Sequence, residues 1–182
     1  MREKWIVETK KGDFNGLSAK LKVSPLAVRC LMNRGVESEQ EMREFLYGTL
    51  DDLHDPFLMK GMDEAVREIV KAKEQGRKVA IASDFDCDGI FSAYILWKGF
   101  QKIGLDSEIF TPDRVKEGYG LNRRIVDEAL AGGRDFLVTC DNGIAANEEV
   151  DYAKKLGMTV IVTDHHEVQE QMPNADTVLD PK

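Results

Sequence analysis

The chain has 182 residues, 42% of them hydrophobic and 32% charged, and its 25 Lys and Arg against 33 Asp and Glu give a formal net charge of −8. That composition excludes a disordered polymer and two full-sized domains, leaving one ordinary α/β domain or a small domain with part of a larger one. An acidic balance argues against a broad nucleic-acid surface but allows a local basic groove, and with no run near the roughly 18 apolar residues that cross a bilayer and no secretory signal, the chain reads as cytoplasmic.

In chain order, residues 15–60 read as short, closely jointed helices. Ser24-Pro25 supplies a cap followed by proline at the first helical position, Gly35 a stop, and Ser38 with Glu41 a capping box. Met62, Ala65, Val66, Ile69 and Val70 repeat at helical spacing up to Gly76. From Lys78 the pattern becomes short apolar strands alternating with helices: KVAIAS, IFSAYILWKGFQKI, SEIF, LNRRIVDEAL, DFLVTC, ANEEVDYAKKLG and MTVIVT, with TVLDPK as one more strand entering a turn. The alternation predicts an α/β fold with a mainly parallel sheet and helices on both faces. The expected organisation is an N-terminal helical segment over 1–60 and an α/β domain over 61–182 that continues in a longer protein. Cys30, Cys87 and Cys140 lack C-x-x-C spacing and are expected as reduced, buried thiols. Tyr94, Trp97 and Phe100 share a helix face and are expected in the core, on a helix that is buried.

In an open parallel sheet the residues just after the strands border the ligand crevice. Here KVAIAS runs into Asp84-Phe85-Asp86-Cys87-Asp88-Gly89, DFLVTC into Asp141-Asn142-Gly143, and MTVIVT into Asp164-His165-His166. Acids brought that close repel one another unless cations neutralise them. Carboxylate oxygens with imidazoles suit Mn²⁺ or Mg²⁺, and two such ions about 3.5–4 Å apart would activate a water for phosphoester hydrolysis. The simpler alternatives remain helix capping for a single Asp and, for DFDCDG, a calcium loop. The latter fails because the twelfth position is Ile95 and a strand precedes the loop. An aspartyl-phosphate phosphatase would leave Asp84 and the histidines without a task.

The motifs DFDCDG, TCDNG and IVTDHHE resemble the first three motifs of the DHH phosphoesterase superfamily. LMNRGVESEQEMREFL, TPDRVKEGYGLN and the late DPK make the chain from Gly16 to Lys182 similar to the N-terminal part of the RecJ family, single-strand-specific 5′→3′ exonucleases of bacteria. The resemblance implies Asp86 and Asp88 as ligands of two metals, Mn²⁺ or Mg²⁺, with Asp141 bridging and His165 as a further ligand. It implies Asp84 as a catalytic or supporting carboxylate and His166 as a catalytic donor to the substrate phosphate, with Asp164 orienting the loop and an imidazole. A fourth motif with another metal-binding Asp, and further domains, would lie beyond Lys182, so this piece alone is expected to hold metal weakly and to cut poorly. The implied activity is hydrolysis of single-stranded DNA to mononucleotides in recombination and repair. Single-strand-binding protein and a recombination helicase are the implied partners. The rivals are a DHH phosphodiesterase or pyrophosphatase acting on small substrates, and a non-catalytic DHH replication scaffold.

Between Thr111 and Arg124 the cations Arg114, Lys116, Arg123 and Arg124 outnumber Asp113 and Glu117, giving a basic loop in an acidic chain. Arg114 is the expected phosphate contact, through its guanidinium fork, and Tyr119 between Gly118 and Gly120 is expected to stack on a base.

Overall fold

The structure, a computed structural model, describes residues 5–6 and 10–182; of the segment 1–60 expected to be helical, residues 1–4 and 7–9 lie outside the described residues. Two compact units are present, one ending at Asp55 and the other beginning at Pro56. The first holds α1 (Phe14–Leu21), α2 (Pro25–Asn33) and α3 (Glu39–Tyr47). The Ala27 N–H donates to the Ser24 hydroxyl with Pro25 at the first helical position, and the Ser38–Glu41 capping box closes reciprocally. Leu21, Val28, Leu31, Met32 and Met42 form its small core.

The second unit contains α4 (Met62–Glu74), β1 (Val79–Ser83), α5 (Cys87–Ile103), β2 (Ser107–Phe110), α6 (Arg123–Ala131), β3 (Phe136–Cys140), α7 (Asn147–Lys155), β4 (Thr159–Thr163) and β5 (Thr177–Leu179). The five strands lie in the order β2-β1-β3-β4-β5, with every pairing parallel. Side chains alternate between two cores. Val79, Ile81, Phe136, Val138 and Ile161 pack with α4 and α5, whereas Ala80, Ala82, Leu137, Val160 and Val162 pack with α6 and α7. Strands buried on both faces account for the continuous apolar runs in the sequence.

This topology places the site. The chain leaves β1 toward the β2 edge and then returns past β1 to build β3, β4 and β5, so the connections diverge between β1 and β3 and open a crevice at their carboxyl ends. Register makes those ends level: Ser83 pairs with Cys140, Cys140 with Thr163, and Thr163 with Leu179. The residues that follow are Asp84, Asp141, Asp164 and Asp180.

Two expectations require correction. The α5 helix is not simply buried: Ala93 and Phe100 face the sheet, but Tyr94 is exposed and Trp97 half-buried, with the Lys98 ammonium over both rings. Phe91 and Ile95 are also exposed, because α4 and α5 together do not cover the sheet between them. Of the three cysteines, all free, only Cys140 is buried; Cys87 opens α5 at the surface and Cys30 lies on the exposed side of α2. Burial, reinforced by the Asp141 charge, pushes the Cys140 thiol up to about 12.

At the opposite end of the sheet Arg77 fastens three strands. Its guanidinium donates to Asp135 Oδ1 at 3.0 Å, to the Asp135 carbonyl at 2.9 Å and to Thr159 Oγ1 at 2.9 Å, and it lies over the Phe136 ring. Arg77→Ala is expected to lower stability by about 2 kcal/mol, the worth of a charge-assisted hydrogen-bond set. Chemical denaturation checks this, and a midpoint equal to wild type would contradict it.

Candidate metal centre

Asp84 leaves β1 at the floor of the crevice. It is 0% exposed, and apart from the neighbouring Tyr119 hydroxyl its carboxylate has no polar partner among the described residues. An ionised carboxylate buried in that way is tolerated when it is paired or coordinates a cation. Directly above it α5 begins. A Cβ on Gly89 would come within 2.5 Å of the Asp84 carbonyl oxygen, so the helix can start this close only with glycine there. Asp86 caps α5, its Oδ1 accepting from the Gly89 N–H at 3.1 Å, and Asp88 sits exposed in the first turn.

Asp141 follows β3 with φ 61, a left-handed conformation that Asp tolerates better than most residues. The turn is completed by Gly143, at φ 114, where a Cβ would meet Thr139 Oγ1 at 2.6 Å. Asp141 Oδ1 lies 2.8 Å from His165 Nε2, while Oδ2 is buried without a partner among the described residues. Burial raises the Asp141 carboxyl above its ordinary range, with the Asp86 charge adding to the effect and the His165 contact opposing it.

Asp164 organises the third loop rather than facing the crevice. Its Oδ2 accepts from the Ile144 N–H at 2.9 Å, and its Oδ1 from the His165 and His166 N–H groups at 2.7 and 3.2 Å. The same Oδ1 lies 2.7 Å from His166 Nδ1. Burial pushes Asp164 up, but these hydrogen bonds outweigh it and hold the carboxyl below its usual value, and the Asp164 contact raises His166. The His166 tautomer is thereby set, with Nδ1 on the carboxylate and Nε2 left for another partner.

Two sets of potential ligand atoms result, each lying within 4.8 Å: Asp84, Asp86 and Asp141, and Asp141, His165 and His166. Asp141 belongs to both. Asp88 joins neither set and lines the wall of an adjoining apolar cleft of about 620 Å³ between α4 and α5. A second cleft, of about 560 Å³, opens on the α7 side past Tyr119 and His166. Orphaned carboxylate oxygens together with imidazole nitrogens fit a hard divalent cation such as Mn²⁺ or Mg²⁺.

The loop from Thr111 to Arg124 is less basic than its composition indicates. Arg124 pairs with Glu117 and Glu128 and donates to the Thr111 carbonyl; Lys116 pairs with Asp113; Arg123 lies over the Tyr152 ring. Arg114 makes no ion pair among the described residues and rests on the Phe85 ring, 5.1 Å from its centroid. Phe85 in turn meets Tyr119 edge-on at 5.7 Å, and Tyr119 meets His166 at 6.2 Å. Burial and the nearby Asp84 carboxylate hold the Tyr119 hydroxyl well above its ordinary range. Sequence reasoning missed the buried side chain of Asn142. The available signal for Asn142 was an amide between Asp and Gly immediately after a strand.

Residues 78–182 match the model of the DHH family, N-terminal domain. The chain is 36% identical over 180 residues to the single-stranded-DNA-specific exonuclease RecJ of Bacillus subtilis (strain 168), covering 98% of this chain and 23% of that protein. It is 34% identical over 158 residues to RecJ of Escherichia coli (strain K12), covering 86% and 27%. The crystal structure of RecJ in complex with Mn²⁺ from Thermus thermophilus superposes with a TM-score of 0.67 at 29% identity, over 92% of this chain and 23% of that one. A crystal structure of exonuclease RecJ bound to manganese gives 0.63 at 35% identity, over 68% and 31%. The chain spans about a quarter of the length of these curated relatives.

The Arg124 contact, with help from the Asp113 N–H, lowers Glu117 from 4.5 to about 2. A carboxyl depressed in the folded state stabilises above its unfolded value and loses that contribution as pH falls through the folded one, so the loop loosens from pH 4.5 toward about 2. Amide exchange across residues 111–120 should show this loss in wild type. Glu117→Gln should show weak, pH-independent protection over the same window, and a wild-type profile in that variant would refute the assignment.

Proposed function

The chain belongs to the DHH family, and from that premise we propose that the protein is a metal-dependent exonuclease hydrolysing single-stranded DNA in the 5′→3′ direction to mononucleotides, in recombination and repair. The observation that carries the reading is the buried Asp84 carboxylate, with no cationic partner among the described residues, clustered with Asp86 and Asp141 at level strand ends. Similarity to RecJ exonucleases of two bacteria supports the substrate class.

In this reading Asp86, Asp141 and His165 would hold two Mn²⁺ or Mg²⁺ ions, joined by Asp88, which is exposed in the first turn of α5 and would turn in from outside both three-residue sets, and Asp84 is the catalytic carboxylate at the floor of the crevice. When bound, the cations neutralise the phosphodiester and acidify the attacking water. His166, oriented by Asp164 through Nδ1 and favoured by that carboxylate as the imidazolium, donates its Nε2 proton to a phosphate oxygen as charge develops there. Arg114, supported by Phe85, forks the terminal phosphate, and Tyr119 contacts the terminal nucleotide. The role places the enzyme in the cytoplasm, with single-strand-binding protein and a recombination helicase as partners.

In the full-length protein, Asp86→Ala and Asp141→Ala should each lower nucleotide release from a 5′-phosphorylated single strand by about a hundredfold; an unchanged rate would remove the metal mechanism. The wild type should degrade long single strands in preference to dinucleotides, and the reverse preference would replace the exonuclease with a small-substrate phosphodiesterase. Arg114→Ala should raise KM for the 5′-phosphorylated strand about tenfold, the equivalent of one lost charge-assisted contact, and should change KM little for a 5′-hydroxyl strand.

A further inference from the structure

The strand ladder between β1 and β3 stops at the pair Ser83–Cys140. Beyond it the two chains part, Asp84 leading into α5 and Asp141 turning with its left-handed φ. Both candidate ligands therefore lie on backbone that the ladder no longer spaces. One buried side chain crosses the gap. Asn142 is 4% exposed, and its Nδ2 donates to the Ala82 carbonyl at 3.1 Å and to the Cys140 carbonyl at 3.0 Å. Those acceptors stand two residues before Asp84 and immediately before Asp141. Because both partners are carbonyl oxygens, the amide nitrogen must be the atom that faces them. Aspartate has no donor for this place, and serine has one where two are used.

Resting on the cation site argued above, we propose that Asn142 is a positioning residue for cation binding. Its amide ties the carboxyl end of β1 to that of β3 and so sets the separation of the Asp84 and Asp141 carboxylates. Asn142 touches neither cation nor substrate in this assignment. It acts through the two backbone segments that present the ligands, and a small change in their spacing matters because ligand geometry controls metal affinity.

The test is Mn²⁺ affinity of the full-length protein, read from the electron paramagnetic resonance signal of free Mn²⁺ well below the unfolding temperature. Asn142→Ala and the milder Asn142→Ser, which retains one donor, are compared with Met158→Ala, a cavity variant in the α6–α7 core just before β4, at the amino end of the sheet. Asn142→Ala should weaken Mn²⁺ binding about ten- to a hundredfold, with Asn142→Ser between it and wild type. Met158→Ala should lower the Tm yet bind Mn²⁺ as wild type does. Wild-type Mn²⁺ affinity in both Asn142 variants would overturn the proposal. Equal weakening in Met158→Ala would also overturn it, by assigning the effect to stability alone. A wild type that takes up no Mn²⁺ would remove the cation site itself and the positioning role with it, a result distinct from the other two.

Discussion

Carboxylates held side by side at the level ends of parallel strands, partly out of water, are the constraint around which the second unit is organised. A sheet in register presents the residue after each strand at the same height, and from β1, β3, β4 and β5 each of those residues is aspartate. The three acids nearest the crevice are handled differently. Asp164 is satisfied by backbone and imidazole donors, Asp141 is half satisfied by His165, and Asp84 has only the Tyr119 hydroxyl beside its carboxylate among the described residues. Demand for positive charge therefore rises toward β1, the same side on which α5 brings its amino terminus and Asp86.

The surroundings convert that demand into a directional site. Arg114 reaches it over Phe85, and Phe85, Tyr119 and His166 form an aromatic series from the 111–124 loop to the histidine pair. Ion pairs within the loop use up Arg124 and Lys116 and Arg123 lies over Tyr152, which leaves Arg114 on the Phe85 ring without an ion pair among the described residues. In the proposed reading, a chain with a net charge of −8 would offer that guanidinium to an anion without becoming a general polyanion binder.

The apolar side of α5 shows where helical periodicity misleads. Ala93 and Phe100 seal the sheet as expected, but Phe91 and Ile95 border the cleft that runs to Asp88 and Asp141. Apolar residues recurring at helical spacing mark a face that avoids water in some setting; the spacing does not say whether a neighbouring helix lies near enough to cover that face. The cysteines illustrate the same limit, since residue type alone placed Cys30 and Cys87 inside and helix phase put them outside.

By itself the sequence determined the strand–helix alternation, the caps at Ser24 and Ser38, and the three loops in which Asp84, Asp141 and His165 occur. These are local properties, encoded by apolar period, turn chemistry and adjacency in the chain. Only the tertiary structure decided that Asp88 joins neither three-residue ligand set and that Arg124 serves the loop instead of a ligand. It also decided that Asn142 spans two strands. Each of those outcomes depends on strand order and register between segments far apart in the chain, or on which partner a long side chain reaches first, and such distances are set by packing across the sheet rather than by spacing along the sequence.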